Sequence, residues 1–206
     1  MEIYDRLHVI RKLCKRFVLR EKPQIARHSG KIDQIIRNVE DINKNISPKL
    51  STFIAQYDAV EQKIRIVSIL GSLQFAAKQL YQLKLISDSE RNTINAKVNK
   101  DLYKIATEAD NVSVKVEAAR NIVDQEYLML LVSKVGNPFS LREAATKRIN
   151  VAEFLEFLVL DVNELRALRI IAAKRIDDVG ILKRLADNVR DLTILAAVLS
   201  KLQSVS

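Results

Sequence analysis

The chain has 206 residues, 48% of them apolar, with 4 Gly, 3 Pro and a formal net charge of +9. That apolar share excludes wholesale disorder, and so few turn-forming residues exclude most all-β folds. The single cysteine, Cys14, excludes an internal disulfide and a cysteine-based zinc cluster.

The first predicted element is a basic amphipathic helix. Ile3, Leu7, Ile10, Cys14 and Phe17 are spaced 4, 3, 4, 3 and form one apolar seam. Opposite the seam lie Arg6, Arg11, Lys12, Lys15, Arg16 and Arg20. Residues 1–31 hold nine Lys/Arg against three acids, an excess of six out of the chain's nine. Pro23 ends or bends this helix, and Ser29-Gly30 marks a break.

Ile32, Ile35, Val39, Ile42 and Ile46 continue the 3-4 rhythm. Ser47 and Pro48 suit an N-cap and a first helical position. Leu50, Phe53, Tyr57, Val60, Ile64, Val67, Leu70, Leu73, Ala77 and Leu80 carry the rhythm on, past Gly71. Ser87 or Asp88 can cap a helix bearing Ile94, Val98, Leu102 and Ile105. Sustained 3-4 spacing means helices packed at shallow angles, either folded back as an antiparallel bundle or paired with another subunit. The breaks at Gly30 and Ser47-Pro48 favour folding back. The expected division is a bundle over 1–87 and a second domain over 88–206.

From about residue 100 the chain repeats every 27 residues. Val114, Leu141, Leu168 and Leu195 fall in one column, and Ala118, Ala145, Ala172 and Leu199 in another. Ile122, Ile149 and Ile176 form a third, Leu128, Leu155 and Leu182 a fourth, and Leu131, Leu158 and Leu185 a fifth. Val135, Val162 and Val189 form a sixth, and the basic column Lys115, Arg142 and Arg169 a seventh. A fixed period of this size marks stacked supersecondary units. Each row holds two amphipathic stretches, such as 139–149 and 152–161, so the unit is two helices and a turn. Asp124, Asn150 and Asp177 lie between the stretches and are expected to cap the second helix. Gly136-Asn137-Pro138 breaks one row from the next.

This pattern resembles the short HEAT-like repeats, whose units read valine-arginine, then alanine, isoleucine, an acid and leucines. Val114-Lys115, Leu141-Arg142 and Leu168-Arg169 stand at the dipeptide, followed by Ile122, Ile149 and Ile176, then Asp124, Asn150 and Asp177, then Leu128, Leu155 and Leu182. Lys115 and Asn150 depart from the pattern. The resemblance covers about 100–203: a degenerate helix at 102–111, three units at 111–136, 137–162 and 163–189, and a closing helix at 190–202. It implies a short α-solenoid that serves as a scaffold for a protein partner; with the seams before it, the expected fold is all-α, an N-terminal helical bundle with coiled-coil-like packing followed by that solenoid.

No catalytic set stands out. The chain lacks a glycine-rich phosphate loop, a Ser/His/Asp set and a zinc-protease HExxH. His8 and His28 are unrelated in spacing, Cys14 occupies an apolar seam, and Asp177-Asp178 reads as a cap rather than a catalytic pair. No enzyme, cofactor or metal is expected. No apolar run is long enough to span a membrane, and the N-terminus lacks the pattern of a secretory signal, so the expected location is cytoplasmic.

Lys115, Arg142 and Arg169 are expected to tie rows together through acids or carbonyls. Arg120, Lys147 and Lys174 lie about 200° around the helix from the alanine column and should face solvent. With Arg148 and Arg175 they form the candidate surface for a partner protein carrying an acidic segment. Arg11, Lys12, Lys15, Arg16 and Arg20 are the second candidate surface. Their alternative partner is nucleic acid or a ribonucleoprotein, held without sequence preference, and a membrane surface ranks below that. Self-association is left open.

Overall fold

The computed structural model describes residues 60–82 and 86–205. Among the described residues every regular element is an α-helix. They are α1 Val60–Gln82, α2 Asp88–Glu108, α3 Val112–Asn121, α4 Gln125–Ser133, α5 Phe139–Thr146, α6 Ala152–Leu160, α7 Arg166–Arg175, α8 Val179–Asn188 and α9 Leu192–Val205. The all-α expectation is met. The expected helices before Val60 lie outside the described residues, as do His8, Cys14 and His28. No helix among the described residues is long and apolar enough to cross a membrane.

Packing divides the chain after Asn121. In the first unit α1, α2 and α3 pack against one another. The 3-4 spacing explains why: Val67, Leu70, Leu73, Ala77 and Leu80 on α1 and Ile94, Val98, Leu102 and Ile105 on α2 are all buried. The junction expected at 87–88 is the start of α2. There Ser87 Oγ accepts from Glu90 N at 3.2 Å, and Glu90 Oε2 accepts from Ser87 N at 2.9 Å. That reciprocal box satisfies two orphan donors. α2 runs unbroken to Glu108, so 102–111 is not a separate helix.

Gly71 lies inside α1, which continues unbroken from Val60 to Gln82. A Cβ at this position would lie 2.0 Å from Asn121 Oδ1, so the missing side chain lets α1 and α3 approach closely. Asn121 is itself anchored, because its Nδ2 donates to Glu117 O and Oε1, each at 2.9 Å. Beside this contact Gln74 Nε2 donates to Asn99 Oδ1 at 2.9 Å, pairing two buried amides.

The second unit holds α4–α9. The second helix of one row packs on the first helix of the next, as α4 on α5, α6 on α7 and α8 on α9. First helices also stack, α5 on α7 and α7 on α9, and α6 stacks on α8. The residues between them are the predicted columns: Leu141, Ala145, Ile149, Leu168, Ala172, Ile176, Leu128, Leu131, Leu155, Leu158, Leu182 and Leu185 are all buried. Leu195 and Leu199, expected in the same columns as Leu168 and Ala172, are half-buried and exposed; α9 starts one residue early, so Ile194 and Val198 take the buried places. The valine column also departs. Val189 is buried, whereas Val135 and Val162 are 81% and 78% exposed.

The capping expectation needs correction. Asp124 caps α4, accepting from Glu126 N at 2.9 Å and Tyr127 N at 3.4 Å. Asp178, not Asp177, caps α8, accepting from Ile181 N at 2.8 Å. Asn150 caps nothing: α6 follows Val151 with no side-chain cap, and Asn150 N donates to Gln125 Oε1. The 27-residue interval explains this, because Asp124, Val151 and Asp178 share one column.

Candidate interaction surface

The inward basic column binds carbonyls. Arg142 Nε donates to Val132 O at 2.7 Å, and Arg169 Nε donates to Val159 O at 2.9 Å. The two bonds are the same contact 27 residues apart. Val132 and Val159 lie in the last turns of α4 and α6, where backbone carbonyls lack helical donors. A cation arriving from the next row's first helix fills that need and opposes the helix dipole. Both arginines are buried, and Arg142 also forms an ion pair with Glu164, buried with it. In the first unit Lys115 Nζ donates to Thr107 O at 3.0 Å, so the whole column ends on carbonyls as expected.

Arg120, Lys147 and Lys174 are exposed, as their helical angle requires. Each sits at a helix C-terminus: Arg120 in the last turn of α3, Lys147 at the C-cap of α5 and Lys174 in the last turn of α7. Arg120 pairs with Glu117 at 3.5 Å and Lys147 with Glu143 at 2.7 Å. Arg148 Nε donates to Ile122 O at 3.3 Å, and Arg175 Nη2 donates to Ile149 O at 3.5 Å. That is a second contact repeated at 27 residues, and it links each turn to the turn of the row before. Much of the candidate surface is therefore occupied by the fold. Arg11, Lys12, Lys15, Arg16 and Arg20 lie outside the described residues.

Between rows, Arg184 forks onto Glu156 at 3.1 and 2.8 Å, which raises the guanidinium's pKa. Lys201 Nζ lies 2.6 Å from Asp177 Oδ1, and that hydrogen bond and charge hold the carboxyl below its ordinary range. Arg166 lies 2.9 Å from Asp191. Burial would raise the Asp191 carboxyl, but the N–H groups of Ile194 and Thr193, with Arg166, outweigh it and lower it. Among the described residues no group of His, Cys, Asp and Glu side chains is placed to hold a metal ion.

The sequence reading missed an apolar feature on the second helices. Phe157 on α6 is 61% exposed, and Leu160 follows it on the same face. Leu130 occupies the equivalent position of α4 and is 52% exposed. Phe154 extends the patch inward, its ring centroid 6.4 Å from that of Phe157. Leu130 and Phe157 lie about 200° from the Leu128 and Leu155 column, and Leu160 about 140°, away from the core. The signal was present in the sequence, since Leu130 and Phe157 are 27 apart. It was hidden because Arg184 breaks the column in the third row.

No protein family, curated protein or solved structure compared with this chain matches it.

Proposed function

We propose that this chain is a non-catalytic, cytoplasmic scaffold whose second unit is a short HEAT-like α-solenoid that holds a protein partner. The two side chain to carbonyl contacts that recur at 27 residues support the repeat reading, as does the stacking of first helix on first helix. The observation that carries the function is the exposed apolar face at Phe157, Leu160 and Leu130. Leaving a large apolar side chain in water does nothing for folding, and such patches mark contact surfaces. Lys147 and Lys174 offer charge to an acidic segment of the guest, but exposed pairs contribute only about 0–1 kcal/mol each. Affinity therefore rests on the apolar face.

The test is affinity purification from nuclease-treated native lysate with the wild-type chain and a Leu130→Ser/Phe157→Ser/Leu160→Ser variant. The expected result is loss of the bound proteins with an unchanged helical spectrum and melting temperature. Retention of the same proteins by the variant defeats the proposal. The six-charge excess in residues 1–31 favours a second reading, binding to nucleic acid. Phosphate binding falls steeply between low and moderate salt through counterion release, whereas an apolar interface weakens little.

A further inference from the structure

The turns of the second unit lie at two edges, and the edges differ. The turns that join one row to the next are 134–138, 161–165 and 189–191. Two ion pairs set them side by side. Arg142, in the first turn of α5, reaches Glu164 in the second of these turns, and Arg166, just past it, reaches Asp191 in the third. Val135, Val162 and Leu192 stand here, one at each turn, and are 81%, 78% and 80% exposed. They are the three most exposed large apolar side chains among the described residues. Leu165 and Phe139 are exposed on the same edge. The turns within rows, 147–151 and 176–178, expose no large apolar side chain. The charges of the edge are sorted as well. Its acids are engaged by the fold: Asp161 accepts from Asn163 N at 3.0 Å, Glu164 holds Arg142, and Asp191 accepts from Thr193 N at 2.9 Å besides pairing with Arg166. Lys134, Arg166 and Arg190, one beside each turn, are exposed.

We infer that this edge docks on a lipid bilayer carrying anionic headgroups, with the aliphatic tips entering the boundary between headgroups and acyl chains. Interfacial binding needs apolar area to bury and cations to meet the headgroups, and the edge supplies both at each turn. The arrangement discriminates among occupants. A protein interface concentrates its apolar area in one packed centre anchored by aromatic side chains. Here three aliphatic tips stand on separate turns, roughly 8–10 Å apart as helix stacking dictates, with the polar Asn137 and Asn163 among them. A fluid bilayer takes up such tips without a matching pocket. Nucleic acid offers phosphates to cations and bases to aromatic rings, whereas these tips are aliphatic. The chain bears a net charge of +9, six of it in residues 1–31, so an anionic leaflet attracts it before contact. The inserted area is small, so docking is peripheral and reversible.

The chain has no Trp, so an introduced indole reports on its own surroundings alone. The experiment mixes the Val162→Trp and Leu192→Trp chains with vesicles of phosphatidylcholine, with and without phosphatidylserine, and follows flotation and emission. Both chains should float with the phosphatidylserine vesicles, shift their emission to the blue and be quenched by brominated acyl chains. Lys174→Trp, exposed beside the turn 176–178 at the opposite edge, should float without either change. A Val135→Asp/Val162→Asp/Leu192→Asp variant, altered only where side chains are too exposed to support the fold, should partition about tenfold or more weakly. A wild-type chain that floats with neither vesicle overturns the proposal and leaves the tips to a protein. Flotation with unshifted Val162→Trp and Leu192→Trp emission, or flotation that the triple substitution leaves unchanged, also overturns it, since residues 1–31 or another surface then makes the contact.

Discussion

The two units solve the same problem with different means. In the first, α1 and α2 are 23 and 21 residues long and pack with α3 through continuous apolar seams. A seam of Val, Leu and Ile sets which face is buried but tolerates axial sliding, so register falls to the few contacts that are not interchangeable. Those are the close approach of Gly71 to Asn121 and the buried Gln74–Asn99 amide pair. In the second, no helix exceeds 14 residues. Register is set at two row junctions, α4 on α5 and α6 on α7, by an arginine on a carbonyl of the row before. Long helices need few pins, whereas short ones need more of them, because each buries too little alone.

That contrast can be tested where it should be strongest. Arg142→Ala removes the bond to Val132 O and strands Glu164 in a buried site, and breaking such a pair costs about 3–5 kcal/mol. Hydrogen exchange should accelerate in α4–α7 and stay unchanged in α1–α3. Equal acceleration in both units would show that they do not hold themselves together separately. Leu155→Ala should cost about 2–5 kcal/mol by denaturant unfolding. A loss under roughly 0.5 kcal/mol would mean the column is not core.

The first unit has its own pin to break. Gly71→Ala places a methyl group against Asn121 and should cost about 1–3 kcal/mol as overpacking. Asn121→Ala in the same chain should recover most of that loss. A double-mutant cycle with no coupling would show that the two residues do not set the approach of α1 to α3. Arg175→Ala, which removes one turn-to-turn tie in the second unit, should cost less, about 0.5–1.5 kcal/mol, the net worth of one hydrogen bond.

The smallest expected effect is in pH. Asp177 and Asp191 have lowered carboxyl pKa values, so their contribution to the second unit is present above the unfolded value of 3.8 and is lost as pH falls through their folded values. Asp101 in α2 is the opposite case. Burial raises its carboxyl despite Lys97, Lys100 and Lys104, so it weighs against the first unit at neutral pH and is relieved as pH falls towards 3.8. Acid titration followed by residue-resolved exchange should therefore loosen α7–α9 before α1–α3. The reverse order would contradict the assignment.

Much of this was legible in the residues alone. Apolar spacing along one chain decides which face of a helix turns inward, and that is a local property. The columns Leu141, Ala145, Leu155 and Leu168 could be named, and all are buried. The angle of Lys147 and Lys174 from the alanine column likewise placed them in solvent before any packing was known. Tertiary structure decided whatever depends on the neighbour a residue meets. Val135 and Val162 share a column with Val189, yet only Val189 finds a covering surface. Gly71 interrupts no apolar rhythm in the sequence, and only the packing shows it as a close contact with Asn121. Arg148 and Arg175 read as free charges and are ties, because the carbonyls that receive them lie a full row away. Periodicity specifies a face, and only the packing of one row on the next specifies what that face touches.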